Sequence, residues 1–281
     1  MKRDGSRLLR PAALLLGSDE IASAIAIGVY RAGLSVVLLD EIDPCCPRRG
    51  MAFTDAWYLG SARVDGTEAV FCGSARSVPS IVDRDEAIVA STWSWRGMLG
   101  VVHPVALIDA RPARAPREPL RGQVPEGVLA VGVGPDFVVG DHVDVAVETA
   151  PGDRLGEIIH EGGTRAGYSL APMLGGAGGE RFVHAPEPGR FFTRQRIGDA
   201  VARNDWIGVL GTSPIRAPIS GVLRGLSARG ARVPAGAPLV EIDPRGDPAL
   251  CFGIEPLARV VAAGVQRALA RVTGPAERRR A

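Results

Sequence analysis

The sequence predicts an α/β protein in two parts, an N-terminal region built on an open α/β sheet and a C-terminal β-sandwich followed by a terminal helix. Three observations lead there. The first 40 residues alternate short, wholly apolar runs with an amphipathic helical pattern. A repeat of 32 residues fills much of the region after residue 182. Glycine (36) and proline (22) are abundant while aromatics make up only 5%, which favours strands and turns over helical bundles. A chain of 281 residues is long enough for two domains. The expected division is an α/β domain at 1–160, a glycine-rich linker at 161–181 and a β domain at 182–281 that holds the repeat and the last helix.

Taken in order, "AALLL" reads as a buried strand, "SDEIASAIAIGVYRAG" as an amphipathic helix closing on Gly33, and "SVVLLDE" as a second strand. That is a β-α-β unit. The run "PAALLLG" follows a basic start but stops after about half a dozen apolar residues, too few for a signal peptide's core. Further strands are expected at "VALID" (105–109), "GVLAVGV" (127–133) and "VDVAVET" (143–149). Between them "STWSWRGMLGVVHP" reads as irregular, and "ARPARAPREPLRGQVPEG" as a mobile loop. Glycine is dense over 160–181, the expected linker.

Beyond the linker, residues 184–210 and 216–242 align at an offset of 32 without a gap. Gly189 matches Gly221, Gly198 matches Gly230 and Val201 matches Val233. Two such halves related by a pseudo-twofold would make the flattened β-sandwich of biotinyl and lipoyl carrier domains. Carriers display a lysine on the hairpin joining the halves, and here that joint is "GTSPIR", while the chain's single lysine is Lys2. Biotin and lipoate are therefore excluded as cargo at this position. "PLARVVAAGVQRALARV" closes the chain as an amphipathic helix expected to cover one sheet of the sandwich.

The charge balance is nearly even, with 33 basic residues against 31 carboxylates. No global field favours nucleic acid or an anionic membrane as partner, and the terminal "ERRRA" reads as a solvated tail. Cys45, Cys46, Cys72 and Cys251 lack the spacing of a zinc site or a disulfide framework. The cytoplasm is the expected compartment. His103, His142, His160 and His184 are dispersed, so neither a metal site nor a serine triad is expected.

Candidate ligand positions cluster where strands end. Gly17 lies where pyrophosphate would approach a helix N-terminus, and Asp40 where a carboxylate would bind ribose. The turn runs Gly17-Ser18-Asp19-Glu20, however, and a carboxylate at 19 repels phosphate, so a simple helix cap is the competing reading. Gly132, Gly134 and Pro135 form a second glycine turn whose amides could face an anion, with Asp136, Asp141, His142 and Asp144 nearby. Asp109 and Arg111 end a strand, and the arginine could clamp a phosphate or carboxylate. "CCPRRG" sets Cys46 beside Arg48 and Arg49, an arrangement expected to lower the thiol pKa and attract anions. Cys251, next to Phe252, reads either as a buried small hydrophobe or as a functional thiol.

The order of "IASAIAIGVYRAGLSVVLLDEIDP", "RRGMAFTDAWYLGSARVDG", "LIDAR", "VGVGPDF", "VDVAVET", "LGEIIHEG", "RFVHAP", "APISGVLRG" and "EIDPRGDPALCFGIE" resembles the accessory protein family of the selenium-dependent molybdenum hydroxylase system. That family is called YqeB-like and is related in role to the XdhC maturation proteins. The resemblance covers almost the whole chain. It implies a Rossmann-like N-terminal region and a biotinyl/lipoyl-like C-terminal region. It also implies a part in maturing molybdenum hydroxylases of the xanthine dehydrogenase type, through a molybdopterin-type cofactor, its sulfur or selenium ligand, or docking of the client enzyme. Cys251 and the pair Arg48 and Arg49 match positions typical of the family. Departures fall at Asp19, at Asp136 and at Asp153, where a ligand approaching the backbone would be hindered. Two other classes remain open, an NAD(P)-dependent oxidoreductase with a degenerate dinucleotide turn and a non-catalytic interaction module. Whether the chain catalyses a reaction or forms a homo-oligomer is left open by the sequence.

Overall fold

A computed structural model describes residues 11–84, 86–112, 117–167 and 173–273. The "ERRRA" tail, part of the expected linker and part of the proline-rich loop lie outside the described residues. The first part of the chain runs β1 (Ala12–Leu16), α1 (Glu20–Arg31), β2 (Ser35–Leu39), α2 (Asp55–Leu59), β3 (Ser61–Val64), β4 (Thr67–Phe71), α3 (Val78–Arg84), β5 (Ile88–Ser91), α4 (Trp95–Val102), β6 (Ala106–Asp109), β7 (Leu129–Val133), β8 (Val145–Val147) and β9 (Ile158–Ile159). These strands form one nine-stranded sheet in the order β3-β4-β5-β2-β1-β6-β7-β8-β9. Strands from β4 to β8 pair in parallel, and β3 and β9 close the edges antiparallel. Every residue of β1 and β2 is buried, as expected where both faces of a parallel strand are covered.

The second part runs β10 (Phe182–His184), β11 (Gly189–Thr193), β12 (Ala200–Val201), β13 (Trp206–Leu210), β14 (Ser213–Arg216), β15 (Gly221–Leu226), β16 (Arg232–Val233), β17 (Pro238–Asp243) and α5 (Pro256–Thr273). The 32-residue repeat maps β10–β13 onto β14–β17. Its strands make two four-stranded antiparallel sheets, β10-β17-β15-β12 and β14-β13-β11-β16. Each sheet takes two strands from each half, and exchanging every strand for its repeat partner converts one order into the other. Between the sheets lie Phe191, Ile207, Leu210, Leu223, Leu239 and Ile242, all fully buried.

This architecture corrects the expected Rossmann-like region followed by a biotinyl/lipoyl-like sandwich with its own helix. The large sheet is mixed, and β6, β7 and β8 follow one another with no helix between them among the described residues. Val131, Val133, Val145 and Val147 on those strands therefore need cover from elsewhere, and α5 supplies it. The helix leaves the repeat and lays Ala258, Val261, Ala262, Val265 and Leu269 against α1 and the sheet. By length and composition its region could cross a membrane, but here this apolar stripe is buried inside the protein. Gln266 seals the contact by donating from Nε2 to the Gly28 carbonyl at 2.6 Å.

Two local expectations also change. "STWSWRGMLGVVHP" contains a helix, α4, whose Ser94 cap accepts from the Gly97 amide. The proline-rich loop is packed from residue 117 onward, with Leu120 fully buried and its amide bonded to the His142 carbonyl.

Candidate functional site

The parallel strands β1, β2 and β6 end at one edge of the large sheet, and the repeat leans over that edge. Between them lies a cavity of about 920 Å³. Its floor comes from Ser18 and Asp19 after β1, from 40–46 after β2, and from Asp109, Arg111, Arg117 and Glu118 after β6. The roof is Pro188–Arg190 and Arg232–Pro234, brought by β11 and β16. A cleft outside the carboxyl ends of parallel strands is where open α/β sheets hold ligands.

At the first turn the backbone geometry favours the capping role. Gly17 has φ +110°, and a side chain there would meet the backbone of Ala110 and Arg111 at 3.3–3.4 Å. The glycine thus allows β1 and β6 to approach each other. The Asp19 carboxylate accepts from the Ala22 amide at 2.9 Å and occupies the N-terminus of α1. Burial, then Glu20 and Asp40, pushes the Asp19 pKa up to about 8. Asp19 therefore keeps a proton near neutral pH that it releases on unfolding, and its linkage destabilises the fold as pH rises from about 4 to about 8. Replacing it with asparagine, which caps equally well, should raise the melting temperature at pH 8 by at least ~5 °C while changing it little near pH ~4. Parallel thermal melts across that range check this.

Asp109 is buried and holds Arg111 through two bonds, Nε to Oδ1 at 2.9 Å and Nη2 to Oδ2 at 2.7 Å. That hydrogen-bonded pairing is the main reason the Arg111 pKa is raised. Asp40 lines the same cavity, and its Oδ1 accepts from the Glu41 amide at 2.8 Å. The structure thus brings Asp40, Asp109 and Arg111 together around one space.

Other expected site residues go elsewhere. Arg48 is enclosed by carboxylates, with Nε 2.6 Å from Glu241, Nη1 2.9 Å from Glu20 and Nη1 3.3 Å from Glu255. Burial opposes its charge, but these acids outweigh that and hold its proton more firmly. Arg49 reaches the Leu226 carbonyl at 2.7 Å and Asp55 at 2.5 Å. Both arginines join the large sheet to the repeat, and neither lines the cavity among the described residues. With Arg48 neutralised, Cys46 experiences burial first and then the charges of Glu20 and Asp19, so its thiol pKa is raised, opposite to the expectation. Cys251 is wholly buried, and burial raises its pKa too. Its carbonyl lies where a side chain on Gly50 would have to go, which places it in the seam between the two parts of the molecule.

The second glycine turn is explained by packing. A Cβ on Gly132 would lie 2.5 Å from the Phe137 ring. The Asp136 carboxylate accepts from the Gly167 amide, His142 Nδ1 accepts from the Val138 amide, and Asp144 accepts from the Ala130 amide. Gly134 and Pro135 matter through a residue that sequence reasoning missed. Arg117 donates to the carbonyls of Pro135 (3.3 Å) and Arg111 (2.9 Å), and its guanidinium stacks 4.3 Å from the centre of the Phe137 ring. It makes no ion pair among the described residues, and burial lowers its pKa. Its only signal was an arginine a few residues past a strand end.

Fold and cavity together define an α/β protein with a ligand-sized cleft where an internal repeat covers a sheet edge. No family model matches the chain. Among curated proteins it is similar to YqeB of Escherichia coli (strain K12), an uncharacterized protein, with 28% identity over 258 residues. The match takes in 91% of this chain, which spans about half (47%) of that relative's length. Two solved structures show a weak likeness. They are a succinylglutamate desuccinylase/aspartoacylase from Rhodobacter sphaeroides (12% identity, 83% of this chain, 52% of that one, TM-score 0.21) and an aspartoacylase family protein from Mesorhizobium loti (13%, 83%, 85%, TM-score 0.25). At those scores neither carries an argument about fold or activity.

Proposed function

We propose that the chain is a cytoplasmic accessory protein for molybdenum hydroxylases of the xanthine dehydrogenase type, holding a molybdopterin-type cofactor for a client enzyme. The observation that supports this best is the cavity over β1, β2 and β6, where Arg111, Arg117, Arg190 and Arg232 approach from both sides. Its volume suits a small organic ligand, and guanidinium groups suit a phosphate. The donor set also fits a pterin, whose amino-bearing edge calls for carboxylate acceptors such as Asp40 and Asp43. The cofactor would supply the metal and sulfur chemistry, while the chain's residues bind, orient and shield it. Cys251, sealed in the seam, takes no part in this reading.

The oxidoreductase alternative gains no support. The α1 N-terminus, where a dinucleotide's pyrophosphate would sit, is already capped by Asp19 and flanked by Glu20.

The test is native mass spectrometry of protein purified from its own cells, joined to hydroxylase assays after deletion of its gene. A retained pterin phosphate and a fall of at least ~10-fold in hydroxylase activity are expected. A clean preparation without any small molecule, together with unchanged hydroxylase activity, overturns the proposal.

A further inference from the structure

One face of the repeat carries apolar side chains into solvent. In the sheet β14-β13-β11-β16, Phe191, Leu210 and Ile215 point into the sandwich, so their neighbours along each strand point out. Phe192, Val209 and Pro214 are paired side by side across β11, β13 and β14 and form an apolar row on that outer surface. Trp206, paired with Arg216, extends it. Phe192 remains 44% exposed and Trp206 43%, a contiguous apolar surface of the kind that marks contact with another molecule. Arginines bound it at both ends. Arg190 and Arg232, paired across β11 and β16, stand on the cavity side and help to form its roof. Arg194, next outward after Phe192, and Arg216, beside Trp206, are exposed at the other end. Arg190 and Arg216 donate to the carbonyls of Gly230 and Asn204 at 2.8 and 2.9 Å, which positions their charges without neutralising them. Neither they nor Arg194 have a carboxylate partner among the described residues, and Arg232 has Asp43 at 3.9 Å. These four strands contain no acidic residue. Glu187, Asp199 and Asp205 in the adjoining turns accept from Ser213 Oγ and from the amides of Arg196 and Ala202.

We infer that this face seats a protein partner whose own surface has an apolar centre and an acidic rim. Phenylalanine and tryptophan at the centre, arginine at the edge and no carboxylate on the strands is the composition of a protein interface, with the aromatic rings as its anchors. The arginines call for carboxylates opposite them, which steer the partner and fix its register. A second copy of the chain does not fit, because a twofold contact of this face with itself sets one arginine rim against the other. Single-stranded nucleic acid fits less well, since bases stack on successive rings and the rest of the row is Val209 and Pro214. The inference stands apart from what the cavity holds. Because Arg190 and Arg232 belong to both surfaces, the partner would stand at the cavity's mouth, and under the accessory-protein reading it is the client enzyme.

The experiment places a photo-reactive benzoylphenylalanine at Phe192 of the full chain in its own cells, with the same group at Leu59, exposed on α2, as the control. Irradiation should join Phe192, and not Leu59, to one protein through a segment in which aspartate and glutamate outnumber lysine and arginine. With that protein purified, Arg194→Glu combined with Arg216→Glu should weaken the complex at least ~10-fold, as should ~0.5 M salt. Trp206→Ala should weaken it by a similar ~10-fold factor. All three positions are exposed, so unchanged thermal melts should show the variants folded. A product with a second copy, a product with nucleic acid, no product specific to Phe192, or an affinity indifferent to the charge reversals overturns the inference. An acidic partner that is not a molybdenum hydroxylase supports this surface while counting against the proposed function, so the two readings fail separately.

Discussion

Replacing Glu241 with alanine is expected to cost the fold about 3–5 kcal/mol, the loss typical of breaking a buried ion pair from one side. Glu241 is fully buried in β17 and is shared by arginines from distant parts of the chain. Arg48 reaches it through Nε at 2.6 Å and Nη2 at 3.1 Å, Arg181 through Nε at 3.2 Å, and Arg224 Nε lies at 3.8 Å. Arg181 and Arg224 are themselves almost wholly buried, so neither can turn to water once the carboxylate is gone. Arg48 keeps Glu20 and Glu255, and Arg224 keeps Glu255 and the Leu250 carbonyl, which sets an upper limit on the damage. Urea denaturation followed by tryptophan fluorescence measures it. Because Arg48 belongs to the large-sheet part and Glu241 to the repeat, both parts should still melt in one transition at a lower midpoint. A loss under ~1 kcal/mol would mean the network contributes little beyond its own desolvation.

The second large effect is expected at Gly132→Ala. The new methyl would fall 2.5 Å from Cγ and Cδ1 of Phe137, a ring with no exposed surface. Such overpacking costs about 1–3 kcal/mol. Phe137→Leu in the same chain should recover at least half of that, a coupling that a double-mutant cycle reads directly. If the glycine served a ligand's approach instead, Gly132→Ala would leave the melting temperature of the ligand-free protein unchanged.

The contrast between these sites explains what could be read from the sequence. β1, α1 and β2 were legible because each is announced within its own span, by a continuous apolar run or by a cap and a closing Gly33. The repeat was legible because its glycines recur at fixed spacing, although which sheet each strand joins depends on pairing across the halves. The β3–β4 hairpin went unread even though Asp65-Gly66 is a strong turn signal, with φ of +48° and +76°. The destination of α5 was hidden for a physical reason, since an amphipathic stripe says that a face will be buried but not against what. The same limit applied at the site. Asp40, Asp109 and Arg111 could be found because they end strands. Arg48 was mistaken for an available cation because Glu241, the partner that neutralises it, lies 193 residues away. Arg117 acquires its role only when the β6–β7 loop brings it over Phe137.

The central claim is that the ligand is held between the sheet edge and the repeat. Hydrogen exchange of the full chain with and without a saturating amount of the small molecule that co-purifies with it tests it most directly. Protection should appear together at 40–46, 109–112, 188–190 and 232–234, the segments that line the cavity from both sides. Protection confined to 132–135 or 248–252, or absent at saturation from both the floor and the roof, would contradict it.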